Sequence, residues 1–190
     1  SLLEFTPIPG AITERKRIPA RETEVESREM EGTRCRFRTT ADVDLYPLQL
    51  EQVSMESASS GQSALRLRFA TLPGATLGQA GIERLRLHLV GEPAYTLYYW
   101  LCRYVGKIKL RLLTQGRPAE ELGLPDCKIQ PFGFAKEEAL LPYPQTAFDG
   151  YRLLQEYFAF PQKFLAVDLS DLRPLARRSS ATTFEILILF

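Results

Sequence analysis

Ala64-Leu65-Arg66-Leu67-Arg68-Phe69 alternates apolar and basic side chains with a period of two. The pattern returns in Arg84-Leu85-Arg86-Leu87-His88-Leu89, in Lys107-Ile108-Lys109-Leu110-Arg111-Leu112 and in Thr33-Arg34-Cys35-Arg36-Phe37-Arg38-Thr39. Successive strand side chains point to opposite faces, so each segment reads as a half-buried strand, apolar inward and basic outward. Leu67, Leu87 and Leu110 are expected inside, and Arg66, Arg86 and Lys109 outside. Weaker strand signals lie at 2–5, 48–55, 127–130 and 164–169. Residues 8–25, among Pro7, Pro9, Gly10 and Pro19, read as an extended arm or edge strand, since proline cannot donate to a ladder. Residues 57–62 read as a polar turn.

Two segments carry helical spacing. In 93–105, Tyr95, Tyr98, Leu101, Cys102 and Val105 share a face, with Pro93 suited to the first turn. In 147–160, Thr146 can cap, Ala147, Tyr151, Leu154 and Phe158 form an apolar stripe, and Pro161 stops the helix. Residues 135–141 suggest a short third helix. Strands and helices do not alternate regularly, so a doubly wound parallel sheet is excluded. The expectation is an α+β, mainly β fold: antiparallel β-sandwich-like sheets with two or three inserted helices. The segment Thr183-Phe184-Glu185-Ile186-Leu187-Ile188-Leu189-Phe190 reads as a central strand with polypeptide beyond it. Residues 1–190 are thus expected to be a single structural domain excised from a longer chain, with a possible subdomain boundary near 115–125.

A chain of 190 residues can bury roughly 70% of its unfolded surface without disulfide or metal staples. Twenty-four basic residues are balanced by 23 acidic ones, so no overall field favours nucleic acid or acidic lipid. No apolar run reaches the ~18 residues of a membrane helix, and the first residues lack the layout of a signal peptide. Cys35, Cys102 and Cys127 are widely spaced and His88 is the only histidine, too few ligands for zinc. Buried, reduced thiols in a cytosolic protein are expected.

No constellation for catalysis emerges. His88 falls on the outward face of a strand, away from any recognisable nucleophile. Glu137-Glu138, and Asp168 with Asp171, are the candidate carboxylate pairs for glycoside hydrolysis, but a helix surface and a strand-end turn account for them. Gly74, Gly78 and Gly81 lack the lysine and the strand-turn-helix setting of a phosphate loop. The basic strand faces lack outward aromatics for stacking on single-stranded nucleic acid, so a solvated face or one covered by an acidic partner fits better. Trp100, the only tryptophan, is expected in the core and not on a sugar-binding platform.

Gly150-Tyr151-Arg152-Leu153-Leu154-Gln155-Glu156-Tyr157-Phe158-Ala159-Phe160-Pro161-Gln162-Lys163-Phe164 closely resembles the signature stretch of TssF, a baseplate subunit of the bacterial type VI secretion system. Cys35-Arg36-Phe37-Arg38-Thr39-Thr40-Ala41-Asp42-Val43 and Leu45-Tyr46-Pro47-Leu48 are similar to an early strand motif of that family. Phe132-Gly133-Phe134 and Glu138-Ala139-Leu140-Leu141-Pro142-Tyr143 are similar to its approach to the signature helix. Ile18-Pro19-Ala20-Arg21 resembles a common Ile-Pro-Arg-Gly element, from which Ala20-Arg21 depart. The resemblance covers roughly residues 5–169. It implies a middle portion of a structural, non-catalytic protein without cofactor or metal. It implies TssG, a second TssF copy, TssK, the VgrG spike and the sheath as partners, and no nucleic acid or direct membrane insertion. The implied location is cytoplasmic, in a baseplate docked at the inner face of the cell envelope. The alternatives are a carbohydrate- or peptide-binding β-sandwich module and a two-carboxylate hydrolase.

With the apolar stripe of 147–160 turned inward, Arg152, Gln155 and Glu156 would face outward. Arg152 and Glu156, with Tyr157 at the border, are then the candidate partner-interface residues. A chain with this ligand inventory should carry no metal: elemental analysis is expected to return no stoichiometric zinc, and one tightly held zinc per chain would contradict the reading.

Overall fold

The computed structural model describes residues 3–57, 61–113, 119–140, 143–144, 146–177 and 181–190. Its strands, in chain order, are β1 (Lys16–Ile18), β2 (Glu24–Glu26), β3 (Arg36–Arg38), β4 (Val43–Leu45), β5 (Leu48–Ser57), β6 (Ser63–Thr71), β7 (Leu85–His88), β8 (Lys107–Leu113), β9 (Glu120–Gly123), β10 (Lys128–Pro131), β11 (Ala166–Ser170) and β12 (Thr183–Leu189). The helices are α1 (Leu77–Ala80), α2 (Ala94–Arg103), α3 (Asp149–Ala159) and α4 (Arg173–Ala176). The fold is α+β, mainly β, and every strand pair is antiparallel.

A five-stranded sheet runs β5-β6-β12-β8-β9 and a three-stranded sheet runs β10-β11-β7. Strand β12 is central and paired along its whole length on both sides, which is why its apolar run needs no alternation. The main core lies between the sheets. Leu65, Leu67 and Phe69 of β6, Ile108, Leu110 and Leu112 of β8, and Phe184, Ile186 and Ile188 of β12 meet Leu85, Val167 and Leu169 from the other sheet. Helix α1 closes one end with Leu77. Thr76 accepts from the Gln79 N–H and Gln79 reaches back to the Thr76 N–H, a capping box that specifies even this single turn.

The outer face of the larger sheet is basic in sequence but not in charge. Glu185 of β12, almost fully buried, meets Arg111 at 3.0 Å and Arg66 at 3.7 Å. Arg66 also pairs with Glu56 at 2.8 Å, Arg111 with Glu121 at 2.8 Å, and Arg68 with Glu51 at 3.1 Å. The acidic cover considered for this face is therefore supplied by the chain itself. In the smaller sheet Arg86 grips Asp168 with two hydrogen bonds, 2.7 and 2.8 Å, and lies over the Phe132 ring.

Several expectations are corrected. The alternation around Phe37 does not enter the core: β3 pairs only with β2, and Phe37 is 50% exposed. Two strands alone cannot bury a face; Glu24–Arg38 and Glu26–Arg36 ion pairs set their register instead. Leu87 is only half-buried, near the end of a short strand. Trp100 is 39% exposed and rests edge-on against Phe190, and Tyr95 is exposed, because α2 buries only Ala94 and Leu101. Cys35 and Cys102 are exposed; Cys127 alone is buried, its thiol pushed up to about 11 by burial. Residues 136–138 form a single 3-10 turn. The one-turn helices α1 and α4 were not expected. Residue 2 of the segment 2–5, 58–60 of the expected turn, 114–118, which reach into the expected boundary at 115–125, and 141 at the end of the expected third helix lie outside the described residues.

The register gives a direct test. Leu110→Ala empties a fully buried site and is expected to cost ~2–5 kcal/mol in urea unfolding. Leu87→Ala is expected to cost less, and Lys109→Ala under ~0.5 kcal/mol. Equal effects of Leu110→Ala and Lys109→Ala would contradict the register.

Candidate functional site

Helix α3 departs from the expectation at Arg152 and Glu156 and along its apolar stripe, while Gln155 is exposed as expected. Arg152 and Glu156 are its buried residues, 3% and 6% exposed, while Tyr151 is 65% and Phe158 81% exposed. Phe148, Leu154 and Tyr157 are exposed as well. The helix contributes no buried side chain to the main core.

The inversion has an identifiable cause. The Glu156 carboxylate accepts the Leu140 N–H at 2.9 Å, an Arg152 N–H at 3.2 Å and the Lys163 ammonium. Arg152 also donates to the Phe134 carbonyl at 2.8 Å. Three charges thus leave water together, each held by a partner of opposite sign or a backbone group. Burial pushes the Lys163 ammonium below the usual lysine range, against the opposing hold of Glu156. Only the Arg152 Nε lacks a partner among the described residues of this cluster.

The segment before the helix is built to receive these groups. Glu138 accepts the N–H groups of Gly133 at 2.7 Å and Ala135 at 3.0 Å, folding residues 133–138 into a tight turn. Gly133 has φ +104°, and a Cβ there would press on Phe164 at 3.3 Å and on the Lys163 stem at 3.4 Å. Lys163 follows in the 3-10 turn Pro161–Phe164, which carries its amine back under α3. Phe134 and Tyr157 pack against Phe164, with ring centroids 5.0 and 6.1 Å apart.

At the start of α3 no side chain caps the helix; Phe148, not Thr146, holds the N-cap position. A Cβ on Gly150 would fall 2.4 Å from the Phe148 ring, so glycine there lets that ring fold over the first turn against Tyr151. The outcome is a continuous outward face of Phe148, Tyr151, Leu154, Tyr157 and Phe158. Of the three expected interface residues, Tyr157 lies on this face, and Arg152 and Glu156 lie beneath it.

Three of the chemical candidates have partners of their own. Asp168 is held by Arg86, Glu138 by backbone N–H groups, and His88 faces the Phe132 ring edge-on. Among the described residues no group of three His, Cys, Asp or Glu is placed to hold a metal ion, and no helix is long and apolar enough to cross a membrane. A shallow hollow of about 410 Å³ bordered by Trp100, Tyr104 and Phe190 presents aromatic rings to solvent.

The described residues form a mainly antiparallel α+β fold whose signature helix exposes an aromatic face above a buried ion cluster. The family described as "Type VI secretion system, TssF" matches over residues 1–190, and the chain belongs to that family. It is 33% identical, over 172 residues, to the type VI secretion system component TssF1 of Pseudomonas aeruginosa, covering 83% of this chain and 27% of that protein. It is similar to a chain in the cryo-electron microscopy structure of a TssK-TssF-TssG baseplate subcomplex. That match has a TM-score of 0.81 at 32% identity, over 96% of this chain and 35% of the other. The chain therefore spans about a third or less of the relatives it matches.

The orientation of α3 predicts an unusual ranking of mutations. Glu156→Gln strands two buried cations and is expected to cost ~3–5 kcal/mol in urea unfolding. Tyr151→Ser and Phe158→Ser, on the exposed face, are expected to stay within about 0.5 kcal/mol of the parent. The reverse ranking would mean that α3 faces the other way.

Proposed function

We propose that this chain is a structural, non-catalytic part of a type VI secretion baseplate. In this reading it scaffolds assembly with TssG, TssK and a second TssF copy, beside the VgrG spike and the sheath, in the cytoplasm at the inner face of the envelope. Family membership supports the baseplate role. The subcomplex containing the similar chain supports TssG and TssK as companions.

The observation that carries the reading is the outward face of α3. Large apolar side chains held away from the core of their own chain mark an association surface. Complete burial of one such Phe or Leu contributes about 1.5–3 kcal/mol, and aromatic residues are enriched at the centres of interfaces. The proposed occupant is TssG. The face carries no charge, as suits a permanent contact, and the family resemblance implies TssG as the subunit that joins TssF in the wedge core. Tyr157 contributes directly; Arg152 and Glu156 act by fixing the helix that presents the face.

The carbohydrate-binding alternative has the Trp100 hollow in its favour. Among the described residues no charged side chain borders that hollow, and the α3 face joins five exposed large side chains, so the scaffold reading is preferred.

The test is assembly. Tyr151→Asp with Phe158→Asp in the full-length protein is expected to leave the melting temperature within about 2–4 °C of the parent, while TssG no longer co-purifies. Retained TssG binding by this folded variant would overturn the assignment, and selective loss of TssK would transfer the face to that subunit.

A further inference from the structure

A second surface has a different chemistry. Strand β9 leaves β8 at Gly123, opposite Lys109. The Leu124 N–H still donates to the Ile108 carbonyl at 2.9 Å, after which the chain turns and crosses to β10 in the smaller sheet. The end of α2 stands over this crossing. Between them lies a groove of about 690 Å³, within the size range of binding clefts.

Arg103, Lys107, Lys109 and Lys128 line the groove, the partly exposed Val105 and Ile129 are among its apolar walls, and among the described residues no Asp or Glu lines it. This contrasts with the ion-paired surfaces described above. The outer sheet face, β2 and β3, and the α3 cluster all match their cations with carboxylates. Arg103, Lys107 and Lys128 meet no carboxylate among the described residues, and Lys109 has only Glu121, at 3.4 Å, which Arg111 holds more closely at 2.8 Å. Cations gathered around an apolar floor leave a local positive potential.

We infer that this groove binds an acidic, leucine-rich type of peptide segment presented by a neighbouring protein chain. Carboxylates of the guest would meet Arg103, Lys107 and Lys128, and its apolar side chains would lie on Val105 and Ile129, the partly exposed apolar residues of the lining. Charge complementarity selects the acidic partner. The apolar floor selects a peptide over a nucleic acid or a free phosphate, since among the described residues no aromatic ring lines the groove for base stacking. The groove shares no residue with α3, so the two surfaces can be tested separately.

The probe is a ten-residue peptide of alternating glutamate and leucine, titrated calorimetrically into the full-length protein. Binding is expected to weaken steeply as salt is raised. Lys107→Glu with Lys128→Glu is expected to weaken it at least roughly tenfold, while Lys107→Arg with Lys128→Arg retains it. Both lysines are exposed, and an unchanged circular dichroism spectrum checks the fold. Phe158→Asp, outside the groove, is expected to bind the peptide like the parent. The inference is overturned if the peptide does not bind, or if the charge-reversed variant binds it equally. It is also overturned if a lysine–leucine peptide, inorganic phosphate or oligothymidylate binds as well as the acidic peptide.

Discussion

Which way α3 faces depends on one carboxylate. Glu156 sits where Arg152, Lys163 and the Leu140 N–H converge. A buried ion cluster of this kind is a poor source of net stability, because desolvation of three charges offsets most of their attraction. Its effect is selective. Rotating α3 to bury Tyr151 and Phe158 would bring the apolar face inward, but it would leave Lys163 and the 133–140 turn without their counter-charge. The cluster therefore determines the orientation, and the aromatic face points outward as a consequence. The tight turn at Gly133 and the 3-10 turn that brings Lys163 into place serve the same constraint.

The sheets provide the frame on which this is mounted. Because β12 is paired on both sides and its single acidic residue, Glu185, is clamped between Arg66 and Arg111, the larger sheet is closed electrostatically as well as sterically. The stems of such arginines cover apolar surface while their heads find carboxylates, which explains why Leu187 and Ala64 are buried on the outer face. A face neutralised in this way offers little to a charged partner. Two regions outside this face remain available for association: the apolar side of α3 and the basic groove at the corner where the sheets part.

The alternating strands were legible in the sequence because each side chain's direction follows from period two alone. Leu67 and Leu110 are where the alternation puts them, and β12 is the central strand its unbroken apolar run suggested. The same rule misjudged Phe37, since alternation specifies which side chains share a face and not whether another sheet covers it. The error at α3 has a related origin. Its apolar stripe and its Arg152–Glu156 stripe have the same helical spacing, and the usual preference puts the apolar one inside. The groups that reverse the preference, the Leu140 N–H and Lys163, lie outside the helix and carry no periodic signal. A lysine two residues after the proline that ends the helix was the one available hint. The carboxylates that quench the basic sheet face were equally hidden, because Glu51, Glu56 and Glu121 reach it from neighbouring strands whose register no single strand reveals.

The central claim, that α3 presents its aromatic face to a neighbouring subunit, is tested most directly by placing a photo-crosslinking phenylalanine analogue at position 158 of the full-length protein in cells that assemble the secretion system. The account predicts an efficient crosslink to TssG that disappears when TssG is deleted. Crosslinks confined to the protein's own chain, or none while the same analogue at a buried position such as 184 reports an intact fold, would contradict it.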